Sequence, residues 1–161
     1  MSTNAPVKRE ELSAIFGYRT WHLEPTGMLR SPVMQHLWTT RGNVADCASC
    51  ANPPSRECVC GFYALPQFTS ALDWLRENTR SNCVGAVLLY GRRYVHEDEV
   101  MRSQFCDIVA VAVIQSILVK YGKPMLTESS VHRMRELLGI NVELFEEATP
   151  TEAVCGSVSP Q

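Results

Sequence analysis

Cys47, Cys50, Cys58 and Cys60 stand in a Cys-x2-Cys-x7-Cys-x-Cys pattern within CASCANPPSRECVCG (47–61), and they are four of the chain's seven cysteines. Thiolates in that number and spacing can grip a metal ion. Tetrahedral zinc takes four soft or borderline donors at about 2.0–2.3 Å. A Cys-x2-Cys turn presents two sulfurs to one ion, and the x7 return is long enough to bring the second pair across. Pro53-Pro54 stiffens that return and lowers its closure entropy. Gly61, after the last ligand, permits backbone torsions closed to other residues. The second pair departs from a standard zinc ribbon. Two sulfurs one residue apart share an ion only where the backbone bends away from a flat strand. Structural zinc is the leading reading. An iron–sulfur cluster also takes four thiolates, and a redox or disulfide role, or no metal, stays open. A closed four-cysteine site leaves no position for water or substrate, so zinc here would be structural rather than catalytic. Asp46 offers an oxygen less suited to a sulfur-rich site, and His36 lies farther back. Cys83 reads as a turn residue, Cys106 as part of an apolar strand and Cys155 as part of the tail; buried cysteine usually serves as a small hydrophobe.

A second polar stretch runs from Gly91 to Glu99. His96 with Glu97 or Glu99 could form a base with a carboxylate partner, although an exposed hairpin strand with solvated charges explains the same residues. No nucleophile accompanies His96, so a catalytic triad is not supported. Arg92 and Arg93 with Tyr90 and Tyr94 could present a basic–aromatic surface; charges that protect a sheet edge are the plainer reading. Together with Arg102, the residues Arg92, Arg93, His96 and Glu97 make the candidate partner or ligand surface. His132, Arg133 and Arg135 fall on the polar face of the last helix. The link GKPMLTESS before it is longer than a helix-turn-helix turn. Phosphate-loop, dinucleotide and H-E-x-x-H motifs are absent.

The 161 residues are 45% apolar and 20% charged, with net charge −2 and a sequence pI of about 6.1. Those values suit one soluble domain and lack the basic footprint of broad nucleic-acid binding. No run reaches the roughly 18 apolar residues of a membrane span. The start, MSTNAPVKREELSAIFGYR, does not read as a signal peptide. A cytoplasmic location follows as an expectation, where thiols stay reduced and clustered cysteines more often bind metal than form disulfides.

The elements that must position these groups can be read from periodicity. GYRTWHLEP (17–25) alternates as a strand, with Trp21 and Leu23 on one face and Tyr18, Thr20 and His22 on the other. Pro25-Thr26-Gly27 is turn chemistry. MLRSPVMQHLW (28–38) reads as an irregular second strand completing a hairpin, since Pro32 cannot donate to a ladder. Phe68, Ala71, Leu72 and Leu75 make an amphipathic helix stripe, with Pro66 in its first turn. VGAVLLYG (84–91) reads as a buried strand, paired with RRYVHEDE (92–99) as a more polar one. SQFCDIVAVAVI (103–114) is another strand. Ile114, Ile117, Leu118 and Tyr121 mark a short helix closed by Gly122 and Pro124. Thr127 or Ser129 caps a last helix carrying Val131, Met134 and Leu138, which Gly139 ends. INVELF (140–145) reads as a closing strand. The expected fold is α+β: a mainly antiparallel sheet, two or three helices and an inserted four-cysteine zinc knuckle. Residues 1–12 read as a flexible N-terminus, 13–146 as a single domain with its knuckle at 47–60, and 147–161 as a disordered tail.

Two stretches also carry a resemblance. One is Gly17, Arg19, Trp21, Trp38, Ala45 and Cys47, continuing to Cys58-x-Cys60-Gly61-x-Tyr63-Ala64. The other runs from Val84 through Gly91 to His96-Glu97, then to Arg102 and Lys120-Tyr121-Gly122-x-Pro124. Across most of 16–124 the chain resembles a group of small uncharacterised proteins of actinobacteria and their phages. In that group the second metal position is often His, which implies a zinc knuckle rather than a disulfide. The resemblance implies one domain and no particular activity; a role in phage or host regulation would be association alone.

The sequence thus points to a non-enzymatic, zinc-stabilised module that binds a protein partner. Alternatives are a nucleic-acid-binding regulator using Arg92, Arg93, Arg102 and the last helix, and a small-molecule binder or enzyme centred on His96 and Glu97.

Overall fold

In the computed structural model, residues 14–32, 36–123 and 125–146 are described below. The readings made for residues 1–12, for the tail at 147–161 with Cys155, and for Pro124 lie outside them.

Among the described residues, seven strands and three helices follow one another as β1 (Ile15–Leu23), β2 (Leu29–Arg30), β3 (Asn43–Val44), β4 (Phe62–Ala64), α1 (Phe68–Glu77), β5 (Cys83–Val95), β6 (Met101–Ile114), α2 (Gln115–Lys120), α3 (Glu128–Leu138) and β7 (Asn141–Phe145). The strands form one mixed sheet in an α+β fold. β5 and β6 are its spine, an antiparallel pair running from Val84↔Ala112 to Val95↔Met101. β1 adds to the free side of β5. The other side of β6 is covered in sequence by β4 at Met101–Ser103, β3 at Phe105–Cys106 and β7 at Ala110–Ile114. β7 runs parallel to β6, because α2 and α3 return the chain before it pairs. One end of the sheet curls closed: Tyr18 and Leu65 exchange backbone hydrogen bonds of 2.8 Å, joining the chain after β4 back to β1.

Alternation sends the two faces to two cores. α1 buries Phe68, Ala71, Leu72 and Leu75, the expected stripe, against Val84, Ala86, Ala112 and Ile114. The opposite face carries Trp21, Leu23, Val87, Leu89, Val111 and Val113, covered by Trp38, Phe62 and by Val131, Met134 and Leu138 of α3. A bulge at Val109 switches the parity of β6, so that Cys106 and Ile108 share a core with Val111 and Val113. Thr127 caps α3 by accepting from Ser130 N, and Gly139 ends it in the left-handed conformation. Among the described residues no helix is long and apolar enough to cross a membrane.

Four local readings change. RRYVHEDE is not a separate strand pairing with 84–91. Gly91, at φ 76°, is a bulge, and β5 continues through Arg92–Val95 before turning at His96–Val100. A glycine preceded by an apolar run signals either a turn or a bulge, and here the β6 register selects the bulge. Among the described residues of 28–38, strand pairing is confined to Leu29–Arg30 and a bridge from Arg30 to Leu37. Pro66 precedes the cap residue Gln67 instead of sitting in the first turn of α1. Cys83 opens β5 and is fully buried, not part of a turn.

Candidate metal centre

The cysteine loop springs from the edge of β6. β3 ends beside Phe105 and β4 begins beside Ser103, so one strand holds both ends of the excursion between Val44 and Phe62. Ala45 N donates to Gln104 O at 2.8 Å and extends that grip toward Cys47. At the exit, Gly61 adopts φ 108°, and a Cβ there would meet Pro54 Cβ at 2.9 Å and Ser103 O at 3.1 Å. Only glycine meets both demands.

The four sulfurs of Cys47, Cys50, Cys58 and Cys60 lie within 4.8 Å of one another, and each residue is half-buried. Cys47 Sγ is 3.6 Å from Cys58 Sγ, and Cys60 Sγ is 3.6 Å from Cys50 Sγ. A tetrahedron with metal–sulfur bonds of about 2.3 Å has sulfur–sulfur edges of about 3.8 Å. The arrangement therefore already has the dimensions of a mononuclear tetrathiolate site. None of the four is in a disulfide. The protons are unevenly held. Hydrogen bonds from the Cys50 thiol, from the backbone at Cys60 and from Cys47 draw Cys58 down to about 7. Burial pushes Cys60 up to about 12.

Of the candidate surface residues, Arg92 and Arg102 reach this loop directly, and His96 does so only through Arg102. Arg102 is only 2% exposed. Its Nη1 donates to the carbonyls of Cys58 and, at 2.8 Å, Cys60; its Nη2 donates to Ser55 O at 3.1 Å. Its Nε donates to His96 Nε2 at 2.8 Å. The Tyr94 and Tyr63 rings lie 5.4 and 6.0 Å from the guanidinium. Arg92 Nη1 donates to the carbonyl of Asn52, also in the loop. Arg93 is half-buried on β5. His96 faces Arg102 rather than a carboxylate, and Glu97 is exposed in the turn. His36 lies outside any strand and packs edge-on against Trp38 and Phe62. On α3, Arg133 donates to Pro25 O and Arg135 to Val142 O, while His132 pairs with Glu136.

The neighbours that brace the loop carry no local signal in the sequence. Tyr63 donates its hydroxyl to Val59 O at 2.6 Å, and its own carbonyl accepts from Arg19 Nη1 at 3.2 Å. Arg19 is buried with its guanidinium 4.2 Å from the centre of the Trp38 ring, and burial lowers it to about 10. Arg19 follows the alternation that places Trp21 and Leu23 on one strand face, but nothing local in the sequence marks its carbonyl partner forty-four positions on. Comparison with protein families, with curated proteins and with solved structures finds no match to this chain.

Proposed function

We propose that this protein is a zinc-stabilised, non-enzymatic binding module that acts through a protein partner, with Cys47, Cys50, Cys58 and Cys60 holding one structural zinc. The observation that carries the metal is the four sulfurs gathered within 4.8 Å on a loop anchored at both ends to β6. That spacing favours a single ion over an iron–sulfur cluster, which spreads its thiolates across two or more irons. The His-for-Cys variation in the resembling group supports metal binding over a disulfide. Reduced thiols fit the cytoplasm.

Support for a partner comes from the end of the molecule where knuckle and β5–β6 turn meet. Val59 is 82% exposed between two ligands, and Val95 is 67% exposed beside the turn. Nucleic-acid binding has weaker support, because Arg92, Arg102, Arg133 and Arg135 donate to carbonyls of this chain. An enzyme centred on His96 and Glu97 also has weaker support, since His96 accepts from a cation and Glu97 lies in solvent. Elemental analysis of the reduced, tag-free protein tests the metal. One equivalent of zinc is expected on the stoichiometry of a four-thiolate site, and less than about half an equivalent overturns the reading. Capture of a protein from the native host that Val59→Asp abolishes would test the partner.

A further inference from the structure

We infer that Arg102 is the positioning residue of the metal centre: its guanidinium draws the Cys58 and Cys60 carbonyls together, bends Cys-x-Cys into a chelate and supplies a cation beside the tetrathiolate. This rests on the zinc reading above. Adjacent-but-one residues of a flat strand place their side chains on the same face about 6–7 Å apart, too far for a shared tetrahedral ion. Something must curl the segment. One side chain does so here, because Arg102 collects the carbonyls on either side of Val59 and a third at Ser55. The curl throws Val59 outward, which accounts for its 82% exposure between two half-buried ligands.

Charge argues the same way. Zinc with four thiolates carries net charge −2, and a buried charge needs a compensating one. Arg102 is a buried guanidinium, and no carboxylate among the described residues pairs with it. Its orientation is set independently of the metal, by His96 at Nε and the two tyrosine rings. A lysine would keep the charge but lacks the planar fork that reaches several acceptors at once.

The test uses the full chain, titrated with zinc against a chromogenic chelator and with cobalt(II) as a spectroscopic probe. Wild type is measured first; if it takes up no zinc, the zinc reading itself fails, and this inference with it. Given a zinc-binding wild type, Arg102→Gln is expected to weaken zinc affinity about 10–100-fold, as loss of a ligand-orienting neighbour does. At saturating cobalt, the charge-transfer intensity per bound ion should fall, a readout that a loss of stability or affinity alone does not move. Arg102→Lys should recover only part of both. An Arg102→Gln protein that binds zinc within about threefold of wild type, with an unchanged cobalt spectrum, overturns the inference. Should Arg102→Gln fail to fold, Arg102→Lys decides: wild-type affinity and spectrum in that variant overturn the role of the fork.

Discussion

The side chain of Asn82 closes a two-bond ring with the main chain of Leu23: Oδ1 accepts from Leu23 N at 2.6 Å, and Nδ2 donates to Leu23 O at 3.0 Å. The amide imitates one more residue of strand pairing just where β5 begins, and both residues are buried. Asn82→Ala leaves two buried backbone groups without partners. The expected cost is about 2–4 kcal/mol, read as a lower urea midpoint with an unchanged slope. Asn82→Asp should be no better, because it keeps the acceptor and replaces the donor with a buried charge.

Metal removal gives the second prediction. Zinc bound only by the folded chain, at a free concentration about a thousand times its dissociation constant, adds about 4 kcal/mol. A strong chelator should therefore lower Tm by roughly 8–16 °C, and Cys58→Ser should melt near the chelated wild type and respond little to zinc. The stripe of α1 packs on the far face of the sheet from Trp38 and Phe62, so its helical signal should persist at temperatures below the lowered transition.

Alkaline pH should weaken the fold through two buried thiols. Burial holds Cys83 well above the ordinary cysteine value, and holds Cys106 at about 12 against an ordinary 9.0. A raised pKa means that the folded state keeps a proton the unfolded chain releases. Stability is full below the unfolded value and falls as pH rises from there toward the folded one. Each thiol contributes a slope of about 1.4 kcal/mol per pH unit in that window. Denaturant unfolding at about pH 8 and about pH 10.5 should show the loss, and Cys106→Ala should reduce the slope.

Glycine-to-alanine changes should separate two kinds of constraint. A Cβ on Gly85 would lie 2.1 Å from Ala110 O and 2.9 Å from Trp21 Cζ3. Backbone on one side and a fully buried ring on the other cannot both give way. Gly85→Ala should cost on the order of 3 kcal/mol or more through overpacking. A Cβ on Gly42 would meet nothing within 4 Å, but φ is +69°. Gly42→Ala should cost about 1 kcal/mol, from backbone strain alone. Thermal melts of the two variants check the ordering.

What was legible in the sequence follows the range of the forces involved. The α1 stripe, the Thr127 cap and the Gly139 stop are set by neighbours within a turn or two, and the structure shows each in place. The four cysteines were legible as a group because their spacing is itself local. β3 and β4 were not, since strands of two and three residues have no period to read; they exist because β6 offers them an edge. Residues 84–91 and 92–99 read as two paired strands, because only the β6 register shows that the chain bulges at Gly91 and does not reverse there. Arg102 reads from sequence as a surface cation, because nothing near it points to carbonyls more than forty positions earlier.

The patchwork on the outer edge of β6 has a consequence for synthesis. The segments that cover Met101–Cys106 precede β6 in the chain, whereas the cover for Ala110–Ile114 is β7, which comes after both α2 and α3. A chain emerging from the ribosome therefore presents AVAVI as a bare, valine-rich edge until Phe145 is outside the exit tunnel. Such an edge is a template for pairing with a neighbouring chain. Between making β6 and making β7 this stretch of the strand lacks its cover, and premature termination before Asn141 should favour aggregation.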